Sequence, residues 1–331
     1  MGSSRGFAQG LFRTFEILKA ATSLRRRIGI NQVIVRAPEH ANFLLLPMLE
    51  MVGFNIVIWL VADRCRISEV QRRRQGILAK LALFASALTG HVEGRFLRRH
   101  PVVANGKDLV ERYCRGNDRA IAIYSSLISG REFNEISEAS QSRTRQHGII
   151  RLLYVGRIAP EKGINRLFDF LQAMEKTAAR RNLVCHLTLV GKIDRSELKL
   201  VESMIAHSVR SITFAGFIRR GQDLWREFAS ADFLCLLSEA EGTPRIVPEA
   251  FAAGLPVLIS REANADDIVP ERAMMLQDGK YEALAENAVE LFCDIARYKS
   301  YAEVVRARGR QYLVDAVIER FSNVTTTTRA G

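Results

Sequence analysis

Short apolar runs and helical stretches alternate from Ile149 to Cys293. Ile149–Val155, Cys185–Val190, Ile212–Ala215, Asp232–Leu237 and Pro256–Ile259 read as strands. Gly163–Ala179, Ser196–His207, Asp223–Ala229, Pro248–Ala253 and Tyr281–Cys293 read as the helices that follow them in turn. Strands this short and this uniformly apolar are covered on both faces. Strands alternating with helices imply a parallel sheet of the doubly wound kind. Such sheets bind ligands at the C-terminal ends of their strands.

The first half repeats this architecture less cleanly. Phe7, Leu11, Phe15 and Leu18 have helical spacing in a stretch over 7–27 that ends in Arg25-Arg26-Arg27 and Gly29, cations that suit a helix C-terminus. Asn31–Ala37, Asn55–Val61, His100–Ala104 and Ala120–Tyr124 read as strands, and Ala41–Met51, Gln75–Leu88 and Asp108–Arg115 as helices. Phe43–Ala62 comes nearest to a membrane span, but Pro47, Glu50 and Gly53-Phe54-Asn55 interrupt it, so it reads as helix, turn and strand. The opening residues show no apolar core ahead of their charges, so no signal peptide is expected. The polar run Glu135–Gly148 reads as a linker. The expected fold is α/β with two Rossmann-like doubly wound domains. The first spans 1–147, the second 148–305, and 306–331 forms a C-terminal helix and tail packing back toward the first.

Charge divides the same way. Residues 1–147 hold 23 Lys and Arg against 12 Asp and Glu, whereas 148–331 hold 25 against 24. The basic half could face anionic lipid, nucleic acid or an acidic substrate. No helix-turn-helix, RNP motif or interleaving of Arg with aromatics supports nucleic acid. Five scattered cysteines without a C-x-x-C pair argue against a disulfide framework or zinc ribbon, and read as small core residues of a reducing compartment. None of the six histidines falls in a metal-binding spacing, and no metal is expected.

Two segments carry chemistry. In Ser238–Pro256 a strand runs into Gly242-Thr243-Pro244 and then a helix whose first position reads as Pro248. Its first turn favours an anion, while Glu241 and Glu249, eight positions apart, suit sugar or ribose hydroxyls. In Val155–Gly163 a strand ends at Gly156, with Arg157 next and Lys162 opening a helix. Two cations there are unfavourable unless an anion sits between them.

These pieces, GRIAPEKG, HLTLVGK, ITFAGFI and EGTPRIVPEAFAAGLPVLIS, resemble the donor domain of GT-B-fold retaining glycosyltransferases, the family 4 type of glycosyl transferases group 1. The resemblance covers about 150–300 and is fainter before that. It implies that Arg157 and Lys162 contact a donor diphosphate, with Gly156 and Gly191 beside it. It further implies that Glu241 holds the transferred sugar, that Glu249 holds the nucleotide ribose, and that the backbone of Gly242, Thr243 and Pro244 lies near sugar or phosphate. The implied reaction keeps the anomeric configuration and needs no metal or cofactor beyond the nucleotide-sugar donor. Arg157, Lys162 and Glu241 carry it.

Two departures stand out. Gly191-Lys192-Ile193 lacks the family's second glycine, and Asn264-Ala265 replaces a Gly-Gly pair. The strand at Asn31 follows too few residues for a complete first domain, so that domain is expected to be shortened, with an open sheet edge and low transfer activity. The helix over 7–27, a second copy or a membrane would cover that edge. The acceptor implied is a glycan or a lipid-linked glycan, at the cytoplasmic face of an anionic membrane. The basic clusters at 25–27, 72–74 and 98–99 would dock there. A non-catalytic partner protein and a nucleotide-sugar epimerase remain open as alternatives.

Overall fold

A computed structural model describes residues 2–39, 42–61, 89–124, 128–141, 148–195, 197–207, 212–239, 241, 244–263, 268–270 and 274–327. The expected helix Gln75–Leu88, the basic cluster at 72–74 and the Asn264-Ala265 pair lie outside them. The chain divides into two compact units, 1–124 with 318–331, and 125–317.

In the first unit, strands β1 (Gln32–Ala37), β2 (Asn55–Leu60), β3 (Val102–Asn105) and β4 (Ala120–Ile123) pair in parallel, in chain order. Helix α1 (Gly2–Ile28) packs on α2 (Asn42–Met51), and α3 (Lys107–Tyr113) follows β3. Leu45, Leu46 and Leu49 of α2 close over Ile56 and Ile58 of β2, with Phe54, Phe96 and Leu97 beside them. Each such side chain fully removed from water contributes about 1.5–3 kcal/mol. Arg25 donates to the Val52 carbonyl and stacks over Phe54, which fastens the end of α1. β1 and β4 are the two edges of this sheet among the described residues, and Ile34 on β1 is 53% exposed. The Trp59 indole donates to Asn105 Oδ1 at 3.0 Å and meets Phe321 edge-on.

The second unit holds six parallel strands in the order β10-β9-β8-β5-β6-β7. They are β5 (Ile149–Val155), β6 (Val184–Val190), β7 (Ile212–Gly216), β8 (Phe233–Leu236), β9 (Val257–Ser260) and β10 (Met275–Leu276). The helices are α4 (Gly130–Gln141), α5 (Ile164–Ala179), α6 (Leu198–His207), α7 (Gln222–Ser230), α8 (Ile246–Ala252), α9 (Tyr281–Cys293), α10 (Ile295–Gly309) and α11 (Val314–Thr327). Residues of α11 from Ile318 onward belong to the first unit. Ile164, Leu167, Leu171, Met174 and Ala178 of α5 recur at three- and four-residue steps and are buried, the pattern of a helix with one face on a core. The Val314 amide donates to the Ile128 carbonyl at 2.9 Å, joining the two ends of this unit.

Three expectations change. The division falls at 124/125 rather than 147/148, and the first half of the expected linker, 135–141, belongs to helix α4. Its polar surface hides buried Phe133, Ile136, Ser137 and Ser140, and the Ser137 hydroxyl donates to the Ala252 carbonyl. Helix α10 runs across the expected boundary at 305/306 on the buried side chains of Tyr298, Tyr301 and Val305. Among the described cysteines, Cys114, Cys185 and Cys235 are buried as expected, but Cys293 is exposed. Burial pushes the Cys114 thiol up to about 11 and that of Cys185 to about 12. Among the described residues, no helix is long and apolar enough to cross a membrane.

Candidate functional site

The second sheet reverses direction between β5 and β8. The chain runs outward from β5 through β6 to β7, then returns to β8 on the other side of β5. A ligand crevice forms at such a reversal, outside the C-terminal ends of the two strands. The segment after β5 carries Gly156, Arg157 and Lys162, and the segment after β8 carries Ser238 and Glu241.

Close backbone contact joins these segments. Gly163 turns from the short 3₁₀ helix Pro160–Lys162 into α5 with φ +66, and a Cβ there would lie 2.0 Å from the Leu237 carbonyl oxygen. Gly191, at φ +151, would place a Cβ 1.7 Å from the Gly156 oxygen. Both positions require glycine for conformation and for space. The Glu239 amide donates to the Glu161 carbonyl at 3.0 Å, and the Ser260 hydroxyl to the Ser238 carbonyl at 2.6 Å. The floor of the crevice is thus stitched from four segments, at the ends of β5, β6, β8 and β9.

On this floor the Lys162 ammonium donates to Glu241 Oε1 at 2.6 Å, and the Ser238 hydroxyl donates to the same oxygen at 3.1 Å. Both charged side chains are mostly buried. Arg157 is about half exposed (52%) and lies in a separate cluster, bonded to Asp194 Oδ2 at 2.8 Å and to Glu161. The two cations are therefore compensated by the chain's own carboxylates, not held apart awaiting an anion. The sequence argument missed Glu161 and Asp194 as their partners. The Tyr154 hydroxyl supports this segment from below, donating to the Arg157 carbonyl at 2.8 Å.

Glu249 sits in a third cluster. It is buried within the first turn of α8, a seven-residue helix that begins at Ile246, so that Pro248 is its third residue rather than its first. Arg220, two residues before α7, donates to Glu249 Oε1 and to Glu132 Oε1 of α4, the latter at 2.8 Å. Burial alone would raise Glu132, but hydrogen bonds from Arg220 and Ser129 outweigh it and hold this carboxyl at about 2. Burial pushes Glu249 above the usual carboxylate range, with Arg220 opposing it. Sequence reasoning missed Arg220, although its place just beyond β7 puts it on the same sheet edge as the other segments. Pro244 is buried and its carbonyl accepts from the Val247 amide at 3.2 Å. Gly242 and Thr243 lie outside the described residues.

Residues 150–294, all within the second unit, match the family described as Glycosyl transferases group 1. A stretch of 191 residues is 29% identical to a GDP-mannose-dependent alpha-mannosyltransferase of Mycobacterium tuberculosis, covering 57% of this chain and 44% of that protein. The chain thus matches under half the length of that relative. The structure resembles sucrose-phosphate synthase from Thermosynechococcus elongatus with a TM-score of 0.70, at 17% identity, over 95% of this chain and 77% of that one. It resembles HepE of Anabaena, solved with UDP and glucose, with a TM-score of 0.65 at 16% identity, over 95% and 80% of the two chains. These likenesses show the fold, which is the GT-B arrangement of two parallel α/β sheets.

Proposed function

We propose that this chain is a retaining glycosyltransferase, moving a sugar from a nucleotide-diphosphate donor to a glycan or lipid-linked acceptor. The observation that carries the reading is the Lys162–Glu241 pair at the sheet reversal, inside the segment that matches the family. An ammonium has three N–H donors, so Lys162 can keep Glu241 and still bond a phosphate oxygen. Glu241 then accepts from hydroxyls of the transferred sugar. Arg157, on the exposed side, exchanges Asp194 or Glu161 for the leaving diphosphate and stabilises charge as it develops there. Glu249 accepts from the nucleotide ribose. The GDP-mannose dependence of one relative and the UDP and glucose held by HepE support the donor class and leave the base open.

The test is a thermal-shift panel of UDP, GDP, ADP and their sugars, followed by transfer assays with glycan and lipid-linked acceptors. A ligand at 100 times its Kd should stabilise the protein by about 2.7 kcal/mol. Stabilisation with transfer supports the reading. Stabilisation without transfer favours a non-catalytic binding partner, and interconversion of the free nucleotide sugar an epimerase. No stabilisation by any of them overturns it.

We also propose that the first unit docks on an anionic membrane surface. Ile17, Leu24 and Ile28 form an exposed apolar line along α1, at i, i+7 and i+11. Exposed Arg26 and Arg27 lie beside them. Residues 2–28 hold six Lys and Arg against the single carboxylate Glu16, a balance that attracts anionic headgroups.

A further inference from the structure

The donor reading leaves Arg220 without a role, yet its guanidinium ties together two carboxylates on two other elements. Its Nε meets Glu132 on α4, its Nη1 meets Glu249 on α8, and its centre lies 5.3 Å from the Trp225 ring on α7. Glu132 is itself fixed. Its Oε2 accepts from the Ser129 amide and hydroxyl, each at 2.9 Å, while the Glu132 amide donates back to the Ser129 hydroxyl at 3.2 Å. That reciprocal pair closes the first turn of α4 as a capping box. One carboxylate therefore caps a helix with one oxygen and anchors Arg220 with the other.

A carboxylate as buried as Glu249 holds its charge only where a cation is bonded to it. The charged groups facing it are Arg220, Glu132 and Arg245. From α10, packed on the same helix, Arg306 reaches the Ala252 and Ala253 carbonyls at 3.4 Å. Arg220 is the cation hydrogen-bonded to the carboxylate, and it engages Oε1. Among the described residues, no hydrogen bond reaches Oε2.

We infer that Arg220 is a positioning residue for the nucleotide: it grips Glu249 through Oε1, anchored by the capped Glu132, and leaves Oε2 to accept from a ribose hydroxyl. This inference rests on the donor reading of Glu249. It carries two consequences that a merely structural arginine does not. Without Arg220 the buried carboxylate protonates more readily, so nucleotide affinity becomes pH-dependent. The penalty also falls on the ribose hydroxyls and not on the diphosphate.

The experiment is calorimetric titration of the full chain with UDP, GDP and ADP, and with the 2′,3′-dideoxy form of whichever binds best, between pH 5.5 and 8. The expected result for Arg220→Gln is a loss of roughly tenfold at pH 8, growing as pH falls, with the dideoxy nucleotide nearly unaffected. Arg220→Lys should restore the wild-type pH profile. Glu132→Gln, which frees the arginine but keeps its charge, should lose part of the affinity and only for the ribonucleotide. It also serves as the test if Arg220→Gln does not fold. Affinity within twofold of wild type at every pH, or an equal loss for ribo- and dideoxynucleotide, overturns the inference while the donor reading stands. If the wild-type chain binds no nucleotide, both fall.

Discussion

The Lys162 ammonium and the Glu241 carboxylate, 79 positions apart in sequence, meet at 2.6 Å where the chain leaves β5 and where it leaves β8. Neither partner is well solvated, so each compensates the other. Truncating one leaves a partly buried charge behind. Lys162→Ala and Glu241→Ala are each expected to lower kcat/KM by roughly ten- to hundredfold, the cost of one charge-assisted bond of about 1.5–3 kcal/mol. In a double-mutant cycle the two losses should fall well short of additive. Wild-type kinetics in both variants, with unchanged circular dichroism, would remove the pair from the site.

Gly191→Ala should damage the crevice without touching a charge. The new methyl would overlap the Gly156 carbonyl oxygen in a backbone conformation that side chains rarely adopt. The expected cost is about 2–4 kcal/mol, combining strain and overpacking. A denaturation midpoint equal to wild type would show that the segments after β5 and β6 can part freely.

The Arg220–Glu132 bond gives a pH signature in stability. Glu132 is held at about 2, below its ordinary value of 4.5, so its contribution is fully present above about pH 4.5 and is lost as pH falls toward 2. Arg220→Ala should therefore destabilise the protein at pH 7 by about 1–2 kcal/mol after allowance for solvent screening. The difference should shrink progressively below pH 4.5. Urea unfolding at pH 7, 4 and 3 measures it, and a difference that does not vary with pH would refute this account.

Membrane docking is checked by co-sedimentation with vesicles. Binding is expected to vesicles rich in anionic lipid, not to neutral ones, and to be released by salt, which screens exposed charge over about 8 Å at physiological ionic strength. Each well-placed cation is worth about 1 kcal/mol, so Arg26→Glu with Arg27→Glu should abolish binding, and Leu24→Asp should weaken it. Binding indifferent to lipid charge and to salt would rule the surface out.

Much of the second sheet was legible in the sequence, because strands buried on both faces write themselves as unbroken apolar runs. Ile149–Val155 falls where that pattern places it, and the helix Tyr281–Cys293 falls where its sequence reading places it. Helix α4 was not legible in the same way. Its core contacts are two apolar residues and two serines in a polar stretch, and the useful signal was the Ser129…Glu132 capping spacing. Lys162, Glu241 and Glu249 stood out by local motif, and the strand ends that carry them were readable. Their partners Arg220, Asp194 and Glu161 were not. No spacing rule announces an ion pair such as Arg220–Glu132, which spans 88 positions and exists only once the sheet is assembled.

The hydrogen bond from the Val314 amide to the Ile128 carbonyl has a bearing on engineering. The polypeptide departs from the second unit beside the place where it arrived, so this unit is an insertion with both ends at one spot. A cassette of this kind can be swapped for a homologous one, or its internal termini relocated, without rethreading any strand. The segment that matches the glycosyltransferase family could then be exchanged as a block while the basic first unit stays the same.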